Sequence, residues 1–100
     1  MTKVRATYVS LVYELDVFKV RDSSVLNPRL NLYERGVLIQ LVQRAENWVP
    51  RITVSISYVP RLVDQMTMAK LRNYVKKLRE NGAKLVEVNV VVSKLLHEGE

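Results

Sequence analysis

The chain has 100 residues, 48% of them hydrophobic, and its 16 Lys+Arg against 10 Asp+Glu give a net charge of +6 and a pI of about 9.8. This length supports one domain with a sizeable core and no second one, so residues 1–100 are read as a single domain with its core over about 17–93. The absence of cysteine excludes disulfide frameworks, zinc knuckles and cysteine nucleophiles and fits a reducing compartment, while the basic balance favours polyanionic partners.

The first apolar stretch is interrupted by Arg5, Glu14, Asp16 and Lys19, and no run approaches the roughly 18 apolar residues of a spanning helix. The expectation is therefore a cytoplasmic protein with no signal peptide and no membrane partner. Residues 4–20 are rich in β-branched and aromatic side chains and read as a strand, although Tyr8, Leu11, Val12 and Leu15 also satisfy helical spacing. Asp22-Ser23-Ser24 and Asn27-Pro28 interrupt the chain, and Asn31 with Glu34 has the spacing of a capping box. A helix is predicted from there to about Asn47. Leu32, Val37, Leu38, Leu41 and Val42 would form its buried stripe, Gly36 a point of close packing, and Trp48 a plug of its end into the core.

Residues 51–58 admit two readings, because Ile52, Val54 and Ile56 alternate with Thr53, Ser55 and Ser57. Either the whole run is a strand, or a short strand ends near Val54 and Ser55 or Ser57 caps a brief helix through Leu62; the second is preferred. Thr67 is then predicted to cap a helix over 67–81, with Met68, Leu71, Val75 and Leu78 buried and Asn81-Gly82 as its left-handed C-terminal cap. Val86, Val88, Val90 and Val92 alternate with Glu87 and Asn89 as one long strand with one apolar face.

The 67–81 helix concentrates the charge: Lys70, Arg72, Lys76, Lys77 and Arg79 stand against Glu80 alone, +4 of the chain's +6. At 100° per residue, Lys70, Asn73, Lys76 and Lys77 lie opposite the Leu71/Val75/Leu78 stripe. Lysine can meet phosphate or guanine, and the Asn73 amide offers the paired donor and acceptor that adenine requires. A solvated helix surface has the same composition, so charge alone does not decide between the two.

The segment from Val17 to Val88 resembles winged helix-turn-helix domains of phage and plasmid replication or regulatory proteins. The resemblance rests on the "N-W" close at Asn47-Trp48 and on a T-x-x-x-L-R-x-x-V-K-K-L-x-x-x-G pattern, here Thr67, Leu71, Arg72, Val75, Lys76, Lys77, Leu78 and Gly82. It implies an α+β fold, a winged helix-turn-helix with an extra N-terminal strand and a long C-terminal strand. The implied function is that of a non-enzymatic transcriptional regulator whose basic recognition helix docks in the major groove of double-stranded DNA. Thr67, Met68, Ala69, Lys70, Asn73 and Lys77 would approach base edges or the adjacent backbone, and Arg72, Lys76 and Arg79 phosphates; Lys84 completes the DNA-binding set. No cofactor and no metal are implied, and a homodimer is expected. The family's wing is a hairpin, yet residues 84–93 hold no Gly or Pro. That strand is left as a wing, a partner of the N-terminal strand, or a contact with a second copy.

Three other readings compete: an Alba-like β-α-β-α-β nucleic-acid-binding protein with a true strand at 51–58 beside 86–92, a viral protein-binding or inhibitory factor using the Val-rich strand, and a small metal nuclease. The carboxylates Glu14, Asp16, Glu34, Asp64 and Glu87 are dispersed, and His97 is the only histidine. Ser23, Ser24, Ser55 and Ser57 have no partner histidine and read as caps, and the five tyrosines as residues at the edge of the core.

Overall fold

The computed structural model describes residues 3–28 and 35–95. Four strands form one antiparallel sheet: β1 (Lys3–Asp16), β2 (Val37–Glu46), β3 (Val49–Tyr58) and β4 (Lys84–Leu95), in the order β2-β3-β1-β4. One helix, α1 (Gln65–Glu80), connects β3 to β4. This is the strand order of the split β-α-β (ferredoxin-like) arrangement. The described part of the first crossover contains the 3-10 turns Val17–Lys19 and Ser23–Leu26 where that arrangement has a helix.

Alternation decides which face is covered. Leu11, Tyr13 and Leu15 of β1 stand opposite Ile56, Val54 and Ile52 of β3, and Ile39 and Leu41 of β2 opposite Ile56 and Val54. These residues pack with Val25 of the crossover and with Leu71, Tyr74 and Leu78 of α1 in one core. The other side of the same strands carries Ser10, Val12, Glu14, Gln40, Arg51, Thr53, Ser55 and Ser57, so the described residues cover the sheet on one face only.

The expected winged helix-turn-helix does not form, because the segment meant for its first helix is a strand. Val37, Ile39 and Leu41 point into the core while Leu38, Gln40, Val42 and Arg44 are less buried, a period of two. Apolar residues at 37, 38, 39, 41 and 42 satisfy both periods, and pairing along β3 settles the choice. The Asn31 and Glu34 capping box lies outside the described residues. Trp48 does not enter the core: Asn47 (φ 52°) and Trp48 (φ 68°) form the two-residue turn between β2 and β3, and Trp48 is 98% exposed. Two positive φ values mark a type I′ turn, whose twist matches a hairpin.

The brief helix predicted after Val54 is absent as well. Residues 51–58 are strand throughout, and a 3-10 turn, Pro60–Leu62, follows. Their neighbours are β1 and β2, not the 86–92 strand of the Alba-like alternative. Gly36 precedes β2 with φ 76°, where a Cβ would lie 2.8 Å from the Leu62 Cβ; both the conformation and the space demand glycine. No wing hairpin forms, because β4 is one strand that pairs along β1 from Lys84 to Leu95, with register shifts between Ala6/Tyr8 and Val12/Tyr13.

Candidate nucleic-acid interface

α1 begins one turn earlier than its predicted Thr67 cap. Asp64 is the N-cap, its Oδ1 accepting the Thr67 N–H at 2.7 Å. The Thr67 N–H and hydroxyl hold the Asp64 carboxyl below its ordinary value, with smaller help from Arg35 and Lys70. The C-terminus closes as a Schellman motif: the Gly82 N–H donates to the Arg79 carbonyl and the Ala83 N–H to the Leu78 carbonyl, with Gly82 at φ 87°.

Thr67, Leu71, Tyr74 and Leu78 are the buried residues of α1, with Met68 and Val75 packed at the margin. The buried stripe is therefore rotated toward Thr67 and Tyr74 relative to the Met68/Leu71/Val75/Leu78 stripe expected from sequence. Thr67 is 1% exposed and its hydroxyl accepts from Arg35 at 3.4 Å, so it is not available to a base edge, and Met68 is partly buried. Ala69, Lys70, Arg72, Asn73, Lys76 and Arg79 are exposed and Lys77 is half-buried.

The rotation divides the cations between two flanks. Lys70, Asn73 and Lys77 line a groove of about 350 Å³ with Ser24, Asn27, Pro28 and Tyr74. The far wall is tied to the helix by the Tyr74 hydroxyl, which donates to the Val25 carbonyl at 2.7 Å. The two lysines are seven residues apart, about 10 Å along the axis, with the Asn73 amide between them. Arg72, Lys76 and Arg79 line the opposite flank with Val75 and Glu80. Lys84 joins neither flank: it stands opposite Glu14 in the sheet and lines a cleft with Asp16, Lys19 and Arg51.

Among the described residues no ion pair neutralises this positive charge. The ion pairs among the described residues are Arg35–Asp64 and Arg51–Glu14, both at 3.9 Å and solvent-exposed, and neither engages an α1 cation. Asp22, one turn before the groove, is held below its ordinary value first by hydrogen bonds from Ser24, with Lys77 a lesser contributor.

Sequence reasoning missed Ser24 and Asn27, which enter the groove only because the crossover folds against α1. It also missed the exposed aromatics Trp48 and Phe18. A signal for Trp48 existed in Asn47, a residue favoured in two-residue hairpin turns. Among the described residues no three His, Asp or Glu side chains are grouped to hold a metal ion, and no helix is long and apolar enough to cross a membrane. His97 and Glu34 lie outside the described residues.

Fold and site together define an α+β sandwich, with one α-helix among the described residues, that presents a basic helix face away from its sheet. Compared with protein-family models, curated proteins and solved structures, the chain has no significant match.

Proposed function

We propose that this is a non-enzymatic DNA-binding protein that grips the phosphate backbone of duplex DNA with the outer face of α1. The observation that carries the reading is the set Lys70, Arg72, Lys76, Lys77 and Arg79, solvent-facing on one helix and without an ion pair among the described residues. Such a surface attracts a polyanion and gains by releasing its condensed counterions. Lys70 and Lys77 reach from one flank and Arg72, Lys76 and Arg79 from the other, so a strand backbone lying along the helix meets cations on both sides. Asn73 is the exposed side chain between Lys70 and Lys77 with a paired donor and acceptor, and any base preference is assigned to it. No helix-turn-helix geometry is invoked.

The test is fluorescence anisotropy of a labelled random-sequence duplex at several salt concentrations, with the native chain and Lys70→Ala/Lys77→Ala. Micromolar binding that weakens steeply with salt is expected. The double variant should bind more weakly, with a slope of log affinity on log salt shallower by about 2. No binding at low salt overturns the reading, and an unchanged slope in the variant removes the groove from the site.

A further inference from the structure

β4 differs from the other three strands. Among the described side chains, the core includes residues of β1, β2 and β3 but none of β4. Leu85, Val86, Val88, Val90, Val91 and Val92 are each 43–53% exposed. Val88 and Val90 stand opposite Leu11 and Val9 on the helix-bearing side, so the strand is apolar toward that side, while Glu87, Asn89 and Val91 stand opposite Val12, Ser10 and Tyr8 on the other. Residues 86–92 contain one charge, Glu87, and no proline. Edge strands that remain unpaired are usually short, charged or bulged. β4 is 12 residues long, and although its pairing with β1 shifts register between Ala6/Tyr8 and Val12/Tyr13, residues 87–91 keep one register with Glu87 as their one charge.

The pairing register adds a second observation. β3 pairs with β1 as far as Val9↔Tyr58, whereas β4 continues along β1 to Lys3↔Leu95. Over residues 3–6 and their β4 partners the sheet is therefore a two-stranded ribbon, part of a molecule 58 Å long and 19 Å thick. A two-stranded ribbon is marginal in water, and a further strand beside it supplies what is missing.

We infer that the missing strand is β4 of a second copy, paired antiparallel about a two-fold axis at Asn89, so that two sheets become one continuous eight-stranded sheet. The sequence carries the symmetry this needs. Valines at 86, 88, 90 and 92 are symmetric about Asn89, so the axis sets Val86 against Val92 of the partner subunit and Val88 against Val90 of the partner subunit. Such an interface is self-complementary and closed, which separates a dimer from open-ended aggregation. The ribbon then lies in a six-stranded part of the sheet, because β4 of the second copy is backed there by its own β1, β3 and β2, and the half-exposed valines gain neighbours across the seam. An axis perpendicular to the sheet keeps both helix-bearing faces on one side, which joins the two α1 surfaces into one basic face. The pairing itself does not depend on the DNA reading.

The chain has no cysteine, so a single introduced thiol reports the contact. Residues directly opposite each other in an antiparallel pair lie about 4.5–5.5 Å apart at Cα, within disulfide range. Light scattering of the native chain at micromolar concentration should give twice 11.6 kDa. On oxidation Asn89→Cys should become a covalent dimer, and Gln40→Cys, on the opposite edge strand, should not. Val88→Lys/Val90→Lys should give the mass of one chain with its helical circular dichroism retained; if that variant fails to fold, the cysteine pair decides. A native mass of one chain overturns the proposal, as does cross-linking through Gln40→Cys in place of Asn89→Cys.

Discussion

The hydroxyl of Tyr74 donates a 2.7 Å hydrogen bond to the carbonyl oxygen of Val25, joining the middle of α1 to a crossover residue that is itself fully buried. The bond closes the wall of the Lys70/Asn73/Lys77 groove, because Val25 lies between Ser24 and Asn27. Tyr74→Phe keeps the ring and leaves the Val25 carbonyl without this donor. The expected loss is about 1–3 kcal/mol of unfolding free energy, read from denaturant midpoints with an unchanged slope.

The same tyrosine sets an alkaline limit. Burial pushes its phenol from 10.0 up to about 12. The folded state therefore holds a proton that the unfolded chain has released over that interval, and unfolding free energy falls as pH rises through it. The contribution is fully present below pH 10 and is lost toward pH 12. Denaturant midpoints measured at both ends should fall more steeply in the native chain than in Tyr74→Phe, whose residue 74 does not titrate.

Asn81 is the second tie between crossover and helix. Its Oδ1 accepts the N–H groups of Arg21 and Asp22 at 2.7 and 2.9 Å, and its Nδ2 donates to the Lys77 carbonyl at 2.8 Å. Asn81→Ala leaves all three backbone groups without this partner where Asn81 is buried, and a loss of about 2–3 kcal/mol is expected. Asn81→Asp keeps both acceptor bonds and loses the donor, so its thermal midpoint should fall between those of the native chain and the alanine variant.

Local chemistry explains which elements were legible in the sequence. α1 and its Gly82 cap were readable because a 3.6-residue stripe and an Asn-Gly stop agree there, and the 86–92 strand because β-branched residues dominate it. The strand expected over 4–20 forms but ends at Asp16, where Val17–Lys19 turns as a 3-10 helix. β2 was not, since Val37, Leu38, Ile39, Leu41 and Val42 fit both periods, and the partner that decides between them is β3, an element apart from any local pattern. The α1 cations were visible as a cluster, but their division into two flanks depends on Tyr74 turning inward to reach Val25. Thr67 was misplaced for a related reason: Asp64 caps the helix, which frees Thr67 to be buried beneath Arg35.

Trp48 occupies the second position of the β2–β3 turn at φ 68°, a left-handed conformation that costs a non-glycine residue roughly 1–2 kcal/mol. Its ring is 98% exposed, so packing within the chain does not offset that cost. Trp48→Gly creates the Asn-Gly pair that this turn type favours, and it should stabilise the protein by about 1 kcal/mol after glycine's own entropic penalty. Arg44 and Arg51 stand opposite each other three residues behind the turn, with Arg51 paired to Glu14. An exposed aromatic at such a tip can wedge against bases in a groove or stack on an unpaired one. The variant should therefore be more stable and bind duplex DNA more weakly, and, as the only tryptophan, Trp48 should change its fluorescence on titration with DNA. A stability gain with unchanged affinity and silent native fluorescence would limit DNA contact to α1 and leave the strained indole for another partner.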